Sequence, residues 1–312
     1  MGAIYSYLLS ISPLAKVHTT IVCRSNYPTV STAGFTLRSV LWGNHTFQPT
    51  KVYSSLDQIE DTSIYDYVID TTKSRPDAFI GGKPPLARLS PSLPETTPII
   101  VIQNGMNIEE PYHLAFPKNP IASGVLYITI SQPAPGEIRQ EGKVNHLRIG
   151  PDHPLPEKEQ EKIQFFGDVL GASSCKVTVH KDIQCERWRK VAWNGSWNTI
   201  CAVTGLDTQS FIKSSPQGKE LVINLLREIV TTAEALGVKM DPIDSLIKDH
   251  VGWTIKAPPI VPSMLQDARK GAQMEIEVLC GNIWRAAEKV GVETPNIKYA
   301  QAYPGEVTRR PY

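Results

Sequence analysis

Three polar side chains recur at one-turn intervals in the stretch Glu186-Arg187-Trp188-Arg189-Lys190-Val191-Ala192-Trp193-Asn194-Gly195-Ser196-Trp197-Asn198. Lys190, Asn194 and Asn198 fall at i, i+4 and i+8, so a helix carries them on one face. Asparagine is a poor interior helix residue, because its amide competes for backbone hydrogen bonds. Two asparagines in line with a lysine describe a polar stripe: one cation to meet developing negative charge, and two neutral amides to orient a polar ligand. A solvated helix face has the same spacing. The flanking Val191, Trp193, Trp197, Ile200 and Ala202 favour a closed pocket.

A second group follows downstream: Pro262-Ser263-Met264-Leu265-Gln266-Asp267, then Gly271, then Glu275-Ile276-Glu277. Ser263 also reads as a helix N-cap, and Glu275 as a surface carboxylate. A third group lies where strands end. Thr19-Thr20-Ile21-Val22-Cys23 is β-branched and strand-like, and it runs into Arg24-Ser25-Asn26. A basic residue at the end of a second strand suits the 2′-phosphate of NADP, because a guanidinium binds phosphate in a bidentate way. Arg24 reads equally as a loop arginine. The strand Tyr67 to Asp70 ends in Thr71-Thr72-Lys73, and the strand Pro98 to Ile102 ends in Gln103-Asn104-Gly105. Polar tips at the carboxyl ends of parallel strands are where open α/β sheets bind ligands, although Asn104-Gly105 also makes an ordinary turn.

The elements that must position these groups differ between the two halves. The first half interleaves short apolar runs with helix candidates, which predicts an α/β sheet, largely parallel. Gly34 to Ser39 and Thr46 to Tyr53 alternate and predict a hairpin. Ile121 to Ser131, Val144 to Gly150 and Lys176 to Val179 read as later strands. From about Asp182 the spacing is helical: Glu186 to Val203, Pro216 to Leu236, Pro242 to Val251 and Gln273 to Val290. The boundary is expected near His180. A dinucleotide-binding domain opens with a strand and a glycine-rich turn ahead of a helix. This sequence starts Met1-Gly2-Ala3-Ile4-Tyr5, so that strand and at least one glycine are absent from it. Gly2 then stands as the last glycine of the fingerprint, with Ala3 to Leu9 as the helix behind it. A chain this short at its start is expected to lose cofactor affinity and stability, as a truncated form or as one that has diverged from nucleotide binding.

Bulk properties narrow the partners. The 312 residues carry a net charge of +1, which gives no electrostatic case for nucleic acid or an acidic membrane surface. No apolar run approaches the ~18 residues of a membrane span. The five cysteines are scattered with no Cys/His cluster. No metal centre or disulfide framework is therefore expected, and a reducing, cytoplasmic setting fits.

Taken together, the blocks resemble ketopantoate reductase (2-dehydropantoate 2-reductase). The resemblance runs through Arg24, Lys73, Gln103-Asn104-Gly105 with Glu109-Glu110, the Trp188-Arg189-Lys190 helix with its asparagines, Ala202-Val203-Thr204-Gly205, and Ser263-Met264-Leu265-Gln266-Asp267 with Glu275-Ile276. The longer first half, including Trp42-Gly43-Asn44-His45, resembles fungal members. The resemblance implies an α/β Rossmann-type NADP-binding domain over 1–180 and an all-α substrate and catalytic domain over 181–312, with the site between them. It implies NADPH-dependent reduction of 2-dehydropantoate to (R)-pantoate in pantothenate and coenzyme A biosynthesis. By similarity Lys190 is the general acid, and Glu275 orients the substrate and the lysine. Asn194, Asn198 and Ser263 hold the keto acid. Gly2, Arg24, Lys73 and Asn104 serve the cofactor, and a homodimer is the expected assembly. One departure stands out. Cys280-Gly281 occupies the place where the family usually has Asn-Gly, which opens the alternative of another carbonyl or imine substrate.

Overall fold

The computed structural model describes residues 1–74, 79 and 81–302. The chain divides into two compact units. The first comprises Met1–Thr72, Ile80–Gln103 and Glu109–Ile183. The second comprises Lys73–Phe79, Asn104–Ile108 and Gln184–Tyr312, so the tips after two strands group with the helical part of the chain.

In the first unit the strands are β1 (Thr20–Val22), β2 (Phe35–Ser39), β3 (Gly43–Phe47), β4 (Lys51–Tyr53), β5 (Val68–Asp70), β6 (Ile99–Val101), β7 (Ile121–Ala134), β8 (Glu137–Gly150) and β9 (Lys176–Val179). Its helices are α1 (Gly2–Ser10), α2 (Tyr27–Ala33), α3 (Glu110–Ala115) and α4 (Glu157–Gly171). Seven strands form one sheet in the order β3-β2-β8-β7-β6-β5, with β9 also pairing β8. Four of its six strand pairings are parallel, as the sequence leads one to expect, and two antiparallel pairs make the sheet mixed. The β2–β3 and β7–β8 pairs are antiparallel, and β7 and β8 are long enough to bulge twice along their shared register. That length lets β8 pair β2 through Glu137–Gln140 and β9 through His146–Ile149.

A hairpin forms here, but its second strand starts at Gly43 and ends at Phe47 instead of running from Thr46 to Tyr53. Phe35 to Ser39 pairs with Gly43 to Phe47, and Gln48-Pro49-Thr50 then ends the ladder. Proline has no N–H to donate, so the chain leaves the sheet there. The residues beyond it form β4, which pairs in parallel with β1 as a separate two-stranded sheet. Helix α1 is buried on nearly every side, from Ala3 to Leu9, because its apolar residues do not segregate to one stripe. Ser6 donates to Thr19 at 2.8 Å, tying α1 to the entry of β1. Its side chains join Leu37, Ile100, Leu147, Phe166 and Leu170 in one core.

The second unit is helical: α5 (Gln184–Thr204), α6 (Thr208–Ser214), α7 (Gly218–Ala235), α8 (Ile243–Leu246), α9 (Trp253–Lys256), α10 (Ser263–Arg269), α11 (Asn282–Lys289) and α12 (Pro295–Ala302). Wider π-type turns fill Ile247–Gly252 and Glu277–Gly281, interrupting two segments that the spacing predicts as single helices. Asp207 caps α6 by accepting from the backbone of Gln209 and Ser210, each at 2.9 Å. Trp197, Cys201, Phe211, Val222, Val251 and Leu265 form a core on which α5 is centred. Gly195 permits the close approach of α5 to α7, since a Cβ there would meet Ile229 Cδ1 at 2.7 Å. Among the described residues no helix is long and apolar enough to cross a membrane.

Candidate active site

Helix α5 presents Lys190, Asn194 and Asn198 as its spacing requires, with Lys190 partly buried and both asparagines buried. Lys190 Nζ donates to Asn104 Oδ1 at 2.7 Å. Burial is the main force on this amine, and the Arg187 cation adds to it, while Glu275 opposes both. The ammonium is thereby pulled down to about 7, within reach of proton exchange at neutral pH.

Asn104 is held from both ends of its amide. Its Nδ2 donates to Glu275 Oε2 at 3.5 Å, and Glu275 Oε1 accepts from the Ser74 backbone N–H at 3.3 Å. Glu275 is 6% exposed. Burial pushes its carboxyl upward, against the pull of Lys73, of Asn104 and of the Ser74 amide.

The backbone beside Asn104 is fixed by three contacts. Arg187 Nη1 donates to Gly105 O at 2.9 Å, Met106 N–H donates to Val278 O at 2.8 Å, and Asn282 Nδ2 donates to Met106 O at 2.6 Å. Gly105 has φ of 101°, and a Cβ there would stand 2.4 Å from Val278 Cβ. The glycine is demanded twice, by conformation and by space.

Farther along α5, Asn198 Nδ2 donates to Ser263 Oγ at 3.3 Å. Ser263 is the first residue of α10 rather than its cap; the N-cap position is Pro262. Asn198 Oδ1 is buried without a hydrogen-bond partner, and the Asn194 amide has no partner among the described residues. Buried amide groups normally find partners, so an orphaned acceptor beside a half-used hydroxyl suits a ligand that brings its own donor. Lys73 pairs with Asp267, both carboxylate oxygens lying 2.5 Å from its ammonium.

The helical unit thus gathers Lys190, Asn104 and Glu275 in one chain of contacts, Asn198 with Ser263, and Lys73 with Asp267. Gly2 and Arg24 belong to the α/β unit. Gly2 opens α1, whose N-terminus has no side-chain cap, and a Cβ on Gly2 would come within 3.1 Å of the Thr71 hydroxyl at the end of β5. Arg24 is exposed just past the carboxyl end of β1, with no side-chain partner among the described residues. An uncapped helix start and an unengaged guanidinium fit the phosphates of a dinucleotide.

Arg187 and Asp267 carry roles that their types alone did not reveal. Arg187 sits three residues before Lys190, on the same side of the helix, which was its available signal. Cys280 is buried in the π-type turn, with its sulfur 3.1 Å from Thr199 Oγ1.

Comparison with known proteins identifies the family. Residues 1–153 match the family model for ketopantoate reductase PanE/ApbA, and residues 182–303 match the model for its C-terminal part. An uncharacterized protein of Saccharomyces cerevisiae is 29% identical over 301 residues, covering 89% of this chain and 83% of its own. The crystal structure of 2-dehydropantoate 2-reductase from Methylococcus capsulatus superposes with a TM-score of 0.84 at 27% identity, covering 99% of this chain and 95% of that one. D-mandelate dehydrogenase, solved with NADH and anilino(oxo)acetate, shares the fold at 18% identity and a TM-score of 0.83, over 99% of this chain and 96% of its own. On both halves, the chain belongs to the ketopantoate reductase family of oxidoreductases.

Proposed function

We propose that this protein reduces a 2-keto acid to the 2-hydroxy acid with NADPH, with 2-dehydropantoate as substrate and (R)-pantoate as product, in pantothenate and coenzyme A biosynthesis. The observation that carries this reading is the Lys190 ammonium, fixed on Asn104 Oδ1 at 2.7 Å and poised to lose a proton near neutral pH. The Methylococcus capsulatus protein named for this reaction supports the choice of substrate.

Reduction of a ketone adds a hydride to carbon and a proton to oxygen. A bound reduced nicotinamide supplies the hydride. Lys190 holds the proton, donates a hydrogen bond to the carbonyl oxygen, and transfers the proton as negative charge grows there. Asn104 aims the ammonium, and Glu275 fixes the orientation of Asn104. Asn194, Asn198 and Ser263 offer neutral donors and acceptors to the polar groups of the substrate, which orients it without adding charge. Arg24 and the start of α1 at Gly2 would hold the cofactor phosphates, with the guanidinium selecting NADPH over NADH. By family resemblance Lys73 and Asn104 lie toward the nicotinamide end.

The test is NADPH oxidation by purified protein with 2-dehydropantoate, and its loss in Lys190→Ala. A folded sample with no turnover on 2-dehydropantoate would overturn the substrate. A second reading keeps the chemistry and changes the carbonyl compound or imine. Cys280 favours it, because its sulfur is engaged by Thr199 where the family usually offers an asparagine amide. Turnover of another keto acid, with none on 2-dehydropantoate, decides for it.

A further inference from the structure

The α/β unit contains a group of ligating side chains that the proposed reaction does not use. Asp152 and His153 lie in the loop Pro151-Asp152-His153-Pro154 that follows β8, and His113 lies on α3. Asp152 Oδ2 accepts from His113 Nε2 at 2.8 Å and lies 2.9 Å from His153 Nδ1. One ligand atom from each residue falls within 4.8 Å of the other two. The rings stand edge to face, with centroids 5.2 Å apart, so their nitrogens converge on one carboxylate without stacking over it.

We propose that His113, Asp152 and His153 bind one divalent transition-metal ion of the zinc class, clipping α3 to the loop after β8 and leaving an outer coordination position for solvent. Each nitrogen that faces the carboxylate would bind in its unprotonated form, any proton it carries passing to solvent, and the cation would sit among the same three atoms. Tetrahedral ligation, with metal–nitrogen and metal–oxygen lengths of about 2.0–2.2 Å, sets ligand atoms about 3.3 Å apart. The carboxylate–imidazole separations are close to that, and only the two nitrogens must draw together.

Two of the three residues are held for this by the fold. Asp152 has a side chain only 6% exposed, between two prolines, and Pro151 O accepts from Ile183 N–H at 3.0 Å. His113 follows Tyr112, whose hydroxyl donates to Asp70 at 2.7 Å and accepts from Gln103 at 3.0 Å. His153, with its side chain 74% exposed, is free to turn onto the ion and leaves the outer face open. Two imidazoles with one carboxylate select zinc-class ions over magnesium or calcium, which prefer all-oxygen shells. Glu109 adds negative charge near His113, which further favours a cation.

The test is a titration of tag-free, chelator-treated full-length protein with Co²⁺, read by its visible absorption band, and with Zn²⁺, read by calorimetry. One equivalent is expected to saturate the band. His153→Gln is expected to weaken both ions at least tenfold. That substitution is on an exposed side chain and leaves the fold intact, which the circular dichroism spectrum checks. Asp152→Asn is expected to abolish binding. Absence of a band saturating at one equivalent, or equal affinity in folded His153→Gln, overturns the site.

Discussion

Asn104 turns its carbonyl oxygen to Lys190 and its amide nitrogen to Glu275, so the two charged residues are connected through one neutral side chain. This orientation follows from donor chemistry: an ammonium can only donate, and a carboxylate accepts. Reversing the amide would set donor against donor and acceptor against acceptor.

With Lys190 as the proposed acid, the pH profile should follow its amine. Its amine is held at about 7, first by burial and then by Arg187. Carbonyl reduction needs the protonated form, so turnover should be full below that value and fall as pH rises through it. Lys190→Ala should lower kcat by roughly 10²–10⁴-fold. Lys190→Arg stays protonated, so whatever activity it retains should lack the alkaline fall. The stability linkage has the opposite sense. The unfolded lysine keeps its proton to a higher pH than the folded one, so stability from this group rises with pH from about 7 toward the ordinary lysine range. Urea melts of wild type and Lys190→Met at several pH values read that difference.

Glu275→Gln should separate positioning from stability. The glutamine keeps the size of the side chain and loses the charge whose burial is unfavourable. One of the two N–H groups that the carboxylate accepts, from Ser74 or Asn104, then faces the glutamine NH2, which offsets the relief of the buried charge. Thermal unfolding is therefore expected to stay level or fall modestly, while kcat falls about tenfold or more as Asn104 loses its charged acceptor. A lower melting temperature with unchanged kcat would contradict this role.

Gly105→Ala places a Cβ against Val278 in a left-handed backbone. Strain and overpacking together should cost about 2 kcal/mol or more in unfolding free energy. The displaced tip should carry Asn104 away from Lys190. Denaturant melts and steady-state kinetics should therefore fail together.

Arg24→Glu tests the cofactor. The residue is exposed, so the fold should tolerate the change. Losing charge-assisted hydrogen bonds to a 2′-phosphate should weaken NADPH by roughly 10–100-fold. NADH, which lacks that phosphate, should bind as before, and fluorescence titration of both nucleotides compares them.

Much of this fold is legible from residue order. The β-branched runs at Thr20–Val22, Val68–Asp70 and Ile99–Val101 announce strands, and the Lys190-Asn194-Asn198 spacing announces α5 and its polar face. Pairing is less legible, because register depends on distant partners. Nothing local tells that Lys51–Tyr53 leaves its hairpin to join β1, except Pro49 just before it. The π-type turn at Glu277–Gly281 is hidden for a similar reason, since it keeps nearly helical spacing. The hydrogen-bonded set Lys190, Asn104 and Glu275 spans 171 residues between Asn104 and Glu275, so residue types could suggest it while only the fold assembles it. The group of His113, Asp152 and His153 is not legible in the sequence, because His113 stands 39 residues from Asp152 and only the fold brings them together.

The grouping of Lys73–Phe79 and Asn104–Ile108 with the helical unit means that the polypeptide cannot be divided by a single cut. A fragment beginning at Gln184 would contain Lys190, Glu275 and Ser263. It would lack the amide that aims the lysine, the backbone N–H that steadies the glutamate, and the glycine turn that Val278 packs against. Exchange of C-terminal halves between relatives would therefore part the proposed acid from its own support, and a working chimera would have to carry the two short strand-end segments along with the helices they serve.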